Sequence, residues 1–271
     1  MTLGAFLLMI QTAFPQTEIG LQLYSFRKQL PKDVPGMLQK ISGMGFRELE
    51  GGSTYGLPVD SFNILLKKNN LTMISVGSDF KELDTNPQAA VDKAKAFGAQ
   101  YVVCTWIPHN NDEFTVDNAK HAVEVFNKAG KVLKENGISL CYHAHGYEFV
   151  PYEGTTLFDF MMKNMDSAYA NFEMDVFWIK HPGQNPVALL QKYPGRFLLM
   201  HLKDRKPGTP GNQKGRADVE SNVVLGRGDV GIEAVMRQAF RSGVKHYFIE
   251  DESSRSEQQV PESLAYLKSL R

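Results

Sequence analysis

Acids and imidazoles gather at four places in the second half of the chain. They are Cys141-Tyr-His143-Ala-His145-Gly-Tyr-Glu148, Phe172-Glu-Met-Asp175, Leu199-Met-His201-Leu-Lys203-Asp204 and Phe248-Ile-Glu250-Asp251-Glu252. Each stretch opens apolar and ends polar, and an earlier run from Phe46 likewise ends in Glu48-Leu-Glu50. A buried carboxylate is costly unless paired or metal-bound. Several on one rim repel each other unless a cation sits among them. Glu, Asp, His and Glu form a hard, mostly oxygen donor set that suits Mn²⁺, Mg²⁺, Co²⁺ or Zn²⁺. The chain has no Cys-x-x-Cys and no His-Glu-x-x-His, which speaks against a structural zinc site or a zincin. Singly, each residue has a structural alternative. Glu148 reads as a solvated loop acid, Asp175 as the cap of a turn, His201 as a core histidine and Glu250 as one of three rim acids. Jointly, four such residues at corresponding places favour a common site.

Something must bring those places together. From residue 18, short apolar runs alternate with longer helical segments. The runs are Ile19–Tyr24, Phe46–Glu50, Thr72–Val76, Tyr101–Cys104, Ser139–His143, Asn171–Asp175, Phe197–Lys203 and His246–Glu250. Between them lie segments with helical spacing, such as Met37–Ile41, Ala122–Phe126 and Ala234–Phe240, and a last helix is expected over Pro261–Leu270. Gly45, Gly98, Gly137, Gly195, Gly243 and Asn70 stand just before strands, as left-handed helix ends require. Eight strand–helix units predict a single-domain (β/α)8 TIM barrel over 17–271, with the polar clusters at the carboxyl ends of its strands. A doubly wound sheet lacks its main support, since no Gly-x-Gly-x-x-Gly follows the first strand. Two long connections, from Thr105 to Val116 and from Asp204 to Gly231, leave carboxyl ends of strands, where barrels place their sites.

Composition narrows the function. Lys and Arg number 30 and Asp and Glu 30, so no basic surface drives nucleic-acid binding. Cys104 and Cys141 sit in apolar runs and read as small buried hydrophobes. Leu3–Ile10 is apolar and too short to span a bilayer. With Thr12-Ala-Phe-Pro-Gln16 it predicts a signal peptide or apolar leader over 1–16, and hence a periplasmic or secreted protein. Should the run not be a signal, the protein is expected in the cytoplasm. No other run predicts a membrane span, and a homo-oligomer is left open.

These residues resemble the xylose isomerase-like TIM-barrel superfamily, the sugar phosphate isomerase/epimerase group, over nearly everything after residue 18. Leu21–Arg27 and Gly45–Glu50 resemble its first two strands. Tyr142-His-Ala-His-Gly-Tyr-Glu-Phe149 is similar to its Tyr-His-Asn-His-x-x-Glu-Phe. Pro194–Asp204 is similar to its Pro-Gly-Arg-(apolar)-His-x-Lys-Asp, and Gly243–Asp251 to its last strand. The resemblance implies one divalent cation held by Glu148, Asp175, His201 and Glu250. Two departures stand out: Ala144 replaces the usual Asn, and Ser75-Val-Gly77 replaces Ser-Ala-His. The missing histidine and the zero net charge argue against the superfamily's endonuclease branch.

The chemistry implied is proton transfer beside a carbonyl, assisted by a Lewis acid. Glu148 and Glu250 are expected to bind metal and face opposite sides of a sugar, with Asp175 and His201 as anchors. His143 and His145 share a face by period two; His145 is a candidate base and His143 a group that holds a hydroxyl. Lys203 is a candidate to bind a substrate oxygen or phosphate, or to pair with Asp175 or Glu173. Glu50, at the end of the second strand, is expected to bind sugar hydroxyls. Trp106 and Trp178 stack on a pyranose, or pack. Glycine-rich backbone around Arg227 is a weak candidate anion cradle. Exported enzymes rarely meet sugar phosphates, so a free or keto sugar is favoured. The leading expectation is a sugar isomerase or epimerase. The alternatives are a lyase or hydratase on 3-keto-glycosides, with His145 as base, and a carbohydrate-binding barrel without catalysis.

Overall fold

Short runs of apolar residues, each closed by a polar turn or a helix, are too brief for a helix of their own, and a strand forms on each of the eight runs. The computed structural model describes residues 17–110 and 112–270. Its barrel strands are β1 (Ile19–Gln22), β2 (Glu48–Gly51), β3 (Thr72–Gly77), β4 (Tyr101–Cys104), β5 (Ser139–His143), β6 (Ala170–Asp175), β7 (Phe197–Leu202) and β8 (His246–Ile249). All pair in parallel, in the order β1-β8-β7-β6-β5-β4-β3-β2, and the sheet closes on itself. Helices surround it, among them Val34–Met44, Pro87–Phe97, Val116–Glu135 and Ile232–Arg241. The architecture is the expected (β/α)8 barrel in a single domain. The segment expected to be a signal peptide or apolar leader, 1–16, lies outside the described residues. No described helix is long and apolar enough to cross a membrane.

Local chemistry sets the helix ends. Asp33 accepts from the N–H of Gly36 at 2.9 Å, and Thr115 and Asn118 form a capping box. The five glycines ahead of strands have φ between 67° and 103°, and Asn70 has 52°. The last helix runs over Ser256–Ser269 and begins five residues before the expected Pro261. The Arg255 carbonyl starts it by accepting N–H groups of Gln258 and Gln259, both at 2.9 Å. That places the proline inside the helix instead of at its first position.

The barrel interior is layered. Val103, Cys141, Leu199 and Phe248 form an apolar plug. Gly20 lies beside Phe248 because a Cβ there would come within 2.5 Å of the ring. One layer toward the carboxyl ends, the same strand faces carry buried Glu50, Ser75, His143, Glu173 and His201. Period two makes the switch: Cys141 is followed two residues on by His143, and Leu199 by His201. Cys104 and Cys141 are buried, and burial pushes both thiols up in pKa. In the long segment after β7, antiparallel pairing of Asp204–Arg205 with Asn222–Val223 closes residues 206–221 into a loop.

Candidate active site and metal centre

His201, on β7, stands at the centre of the polar layer. Its Nε2 lies 2.6 Å from Glu50 Oε1 and 3.3 Å from Glu173 Oε2. Its Nδ1 faces the barrel mouth, 3.4 Å from Glu250 Oε2 and 3.9 Å from Asp175 Oδ2. Asp175 ends β6 and divides its oxygens between two tasks. Oδ1 accepts the N–H groups of Phe177 at 2.8 Å and Trp178 at 3.1 Å, capping the turn as a structural reading anticipates. Oδ2 is buried without a hydrogen-bond partner, as is Nδ1 of His201. His143 completes the group: its Nδ1 lies 2.8 Å from Glu173 Oε2 and its Nε2 3.8 Å from Asp175 Oδ2. One donor atom each from His143, Asp175 and His201 lies within 4.8 Å of the others. Orphaned buried donors around one point, in a set of imidazoles and carboxylates, fit a divalent ion such as Zn²⁺ or Mn²⁺. Glu50 against the far nitrogen of His201 is the carboxylate–histidine pairing that orients metal ligands.

Charge accounts for the proton positions. Burial raises Glu173 well above the usual carboxylate range, and the Glu50 carboxylate adds to it. Burial also works against an ionised Glu50, but the neighbouring His201 outweighs it and carries Glu50 below its ordinary value. Burial opposes a charged His201 too; the carboxylates Glu173, Glu50 and Glu250 overcome it and raise its pKa well above the ordinary value. His143 goes the other way, lowered by burial and by the charge of His201. Several acids thus surround a proton on His201 that a divalent ion would displace.

A cavity of about 890 Å³ opens above these groups, with His143, His145, His201, Lys203, Glu250, Trp106 and Trp178 on its wall. Lys203 is 1% exposed. Its ammonium lies 3.1 Å from Glu250 Oε2, bonds Glu252, and stands 3.9 Å from Asp175 Oδ2. These acids overcome burial and hold it charged. Lys203 in turn is the main cause that outweighs burial and keeps Glu250 ionised. His145 packs between Trp106 and Trp178, with ring centroids 5.7 Å and 5.2 Å away. Burial, and then the charge of Lys203, depress its pKa to about 4, and its Nδ1 has no partner. Gly215 of the long loop leans on the same aromatic wall: a Cβ there would fall 2.8 Å from Tyr147 and 3.1 Å from Trp106.

Two expected site residues sit elsewhere. Glu148 does not reach the His201 group. The left-handed Gly146 (φ 93°) bends the chain into a 3-10 turn over Tyr147–Phe149. The Glu148 carboxylate then folds back onto its own turn, accepting from His145 N at 3.1 Å, Gly146 N at 2.7 Å and the Tyr142 hydroxyl. Burial lifts its pKa to about 7. Glu50 does not face the cavity as a hydroxyl binder. It is 2% exposed and accepts from Gln22 Nε2 at 2.7 Å, from Ser75 and from His201, because its inward face lies a layer beneath the mouth. The sequence offers Glu173 only as an ion-pair partner of Lys203, although Phe172-Glu-Met-Asp175 puts it on the face of Asp175 by period two, and the structure sets it against His143 and His201.

The glycine-rich turn around Arg227 cradles an anion, but one of the chain's own. Asp204 Oδ2 accepts from Gly226 N and Gly228 N, both at 2.9 Å, and Oδ1 from Arg205 N at 2.9 Å and Val230 N at 3.2 Å. A Cβ on Gly228 would lie 2.1 Å from that carboxylate. Arg227 itself points out, paired with Glu262 at 3.0 Å.

Similar proteins agree with this architecture. An inosose dehydratase of Clostridium beijerinckii is 26% identical over 181 residues, covering 59% of this chain and 59% of that protein. One of Clostridium tetani is 31% identical over 91 residues, 34% of this chain and 30% of that protein. The chain thus aligns with less than two thirds of the length of these curated relatives. Among solved structures, a sugar phosphate isomerase/epimerase of Parabacteroides distasonis superposes with a TM-score of 0.79 at 27% identity, over 93% of this chain and 98% of that one. The IolI protein, solved with a bound zinc atom, shares the fold with a TM-score of 0.72 at 13% identity, over 94% of this chain and 96% of that one. Residues 38–270 match the family profile described as xylose isomerase-like TIM barrel. The chain therefore belongs to the xylose isomerase-like TIM barrel family.

Proposed function

We propose that this protein is a divalent-metal-dependent lyase that eliminates water from a keto sugar. One observation carries the choice over isomerisation. Epimerisation between two faces was expected to use Glu148 and Glu250 on opposite sides of the substrate, and Glu148 is spent on its own turn. What the cavity wall offers instead is a proton-free imidazole, His145, beside a fixed ammonium, Lys203. The inosose dehydratase relatives support this reading, since a dehydration is their named reaction. The Parabacteroides structure, named as an isomerase/epimerase, supports the second reading, a sugar isomerase or epimerase.

His143, Asp175, His201 and Glu250 would hold the ion. Bound there, it supplies a Lewis acid that draws electrons from a carbonyl oxygen. His145 takes the proton from the carbon beside that carbonyl. The C–H electron pair becomes a C=C bond, and the C–O bond on the next carbon breaks. His145 returns its proton to the departing oxygen, which leaves as water. Lys203 binds its proton too tightly to give it up, so its ammonium stabilises negative charge on oxygen during these transfers. Trp106 and Trp178 hold the ring face and exclude water.

Incubating the Mn²⁺-loaded protein with a keto-inositol or a 3-keto sugar in D₂O tests the reading. The expected result is loss of one water and growth of an ultraviolet-absorbing enone, abolished in His145→Gln with metal still bound. Deuterium entering recovered sugar without loss of water would establish the isomerase reading in its place. No chemical change with any keto sugar would leave a carbohydrate-binding barrel.

A further inference from the structure

The cavity as a whole is larger than one sugar ring requires. The candidate ligands and His145 come from β5 to β8, while Tyr24, Arg27, Gly51, Tyr55 and Gly77 line the side over β1 to β3. The cavity's 890 Å³ lies near the top of the range of about 300–1,000 Å³ that encloses drug-sized ligands, and a pyranose has only about a dozen non-hydrogen atoms.

Gly77 is informative because nothing in the fold requires a glycine there. Its φ is not in the left-handed region, and a Cβ would meet no atom closer than the Gly51 carbonyl at 3.6 Å. It shares a strand face with Ser75, whose hydroxyl points into the barrel at Glu50, so a side chain at 77 would project into the mouth. The missing side chain is therefore space. Two tyrosines, Tyr24 and Tyr55, line the same cavity. Tyr24 is 51% exposed at the rim, with the Arg27 guanidinium 4.4 Å from its centroid. Arg27 is fixed in turn by the carbonyls of Glu252 at 2.7 Å and Tyr24 at 3.0 Å. An exposed ring, a second tyrosine and a held guanidinium suit the apolar face and hydroxyl edge of a second ring.

We infer that this site takes a two-ring substrate, a glycoside whose reacting ring lies over β5 to β8 and whose second ring fills the space above Gly51 and Gly77, between Tyr24 and Tyr55. This rests on the keto-sugar reading for the reacting ring, but its test is binding and needs no turnover. The Mn²⁺-loaded protein is titrated calorimetrically with glucose, with the disaccharides maltose, cellobiose and laminaribiose, and with phenyl β-glucoside. At least one two-ring probe should bind about tenfold or more tighter than glucose, a gain of about 1.4 kcal/mol. Gly77→Phe should bring that two-ring to one-ring ratio to about one, and Tyr24→Ala should lower it without adding bulk. A wild-type ratio near one for every probe, absence of two-ring binding, or a ratio unchanged in both variants would overturn the inference. A preserved ratio in a protein that dehydrates nothing would overturn only the proposed reaction.

Discussion

Replacing Glu148 by Gln separates a structural role from metal ligation. The carboxyl is fully buried in its turn and held up to about 7 against an ordinary 4.5. That difference corresponds to about 3 kcal/mol in favour of the protonated form within the fold. A carboxyl raised on folding contributes stability that is fully present below pH 4.5 and lost as pH climbs through about 7. Glutamine has no proton to lose. Its amide nitrogen must, however, confront a donor among His145 N, Gly146 N and the Tyr142 hydroxyl, at a cost of about 1 kcal/mol. Glu148→Gln should therefore be about 1 kcal/mol less stable than the parent near pH 4, and about 2 kcal/mol more stable above pH 8. Urea unfolding at the two pH values reads the crossover, and calorimetric titration with Mn²⁺ should show affinity within about threefold of the parent. A folded variant that loses metal affinity a hundredfold, or a stability difference that ignores pH, would refute the assignment of Glu148 to its turn.

Other expectations are as direct. Glu50→Gln should keep the fold yet weaken metal binding by about 10–100-fold, because Glu50 orients His201 from behind; calorimetry checks it. His145→Gln should lower turnover by about 10²–10⁴-fold while metal stays bound. In the parent, the rate limb due to His145 should rise as pH passes about 4 and be flat at neutrality, since a depressed pKa leaves the imidazole proton-free above that value; a pH–rate profile shows it. Asp204→Ala strands four backbone N–H groups and should cost about 2–4 kcal/mol, with new protease cleavage between residues 204 and 231.

The barrel and the strand ends that carry the candidate site were legible in the sequence. Alternating apolar runs and helical segments, left-handed glycines ahead of strands, and period-two alternation are local properties of the backbone. They put Asp175, His201 and Glu250 at one end of neighbouring strands, and the fold brings them together. Tertiary structure decided which atoms face which. After β5 a single left-handed residue, Gly146, turns Glu148 away from the mouth, and nothing in the spacing from His143 to Glu148 reveals that bend. Glu173 gained its place because His143 arrives from the adjacent strand. Asp175 serves as both cap and open donor because its two oxygens meet different environments. Asp204 claimed the glycine-rich turn from more than twenty residues away. Strand faces follow from the pleat of one segment, whereas the direction of a carboxylate depends on which N–H groups other segments leave unpaired around it.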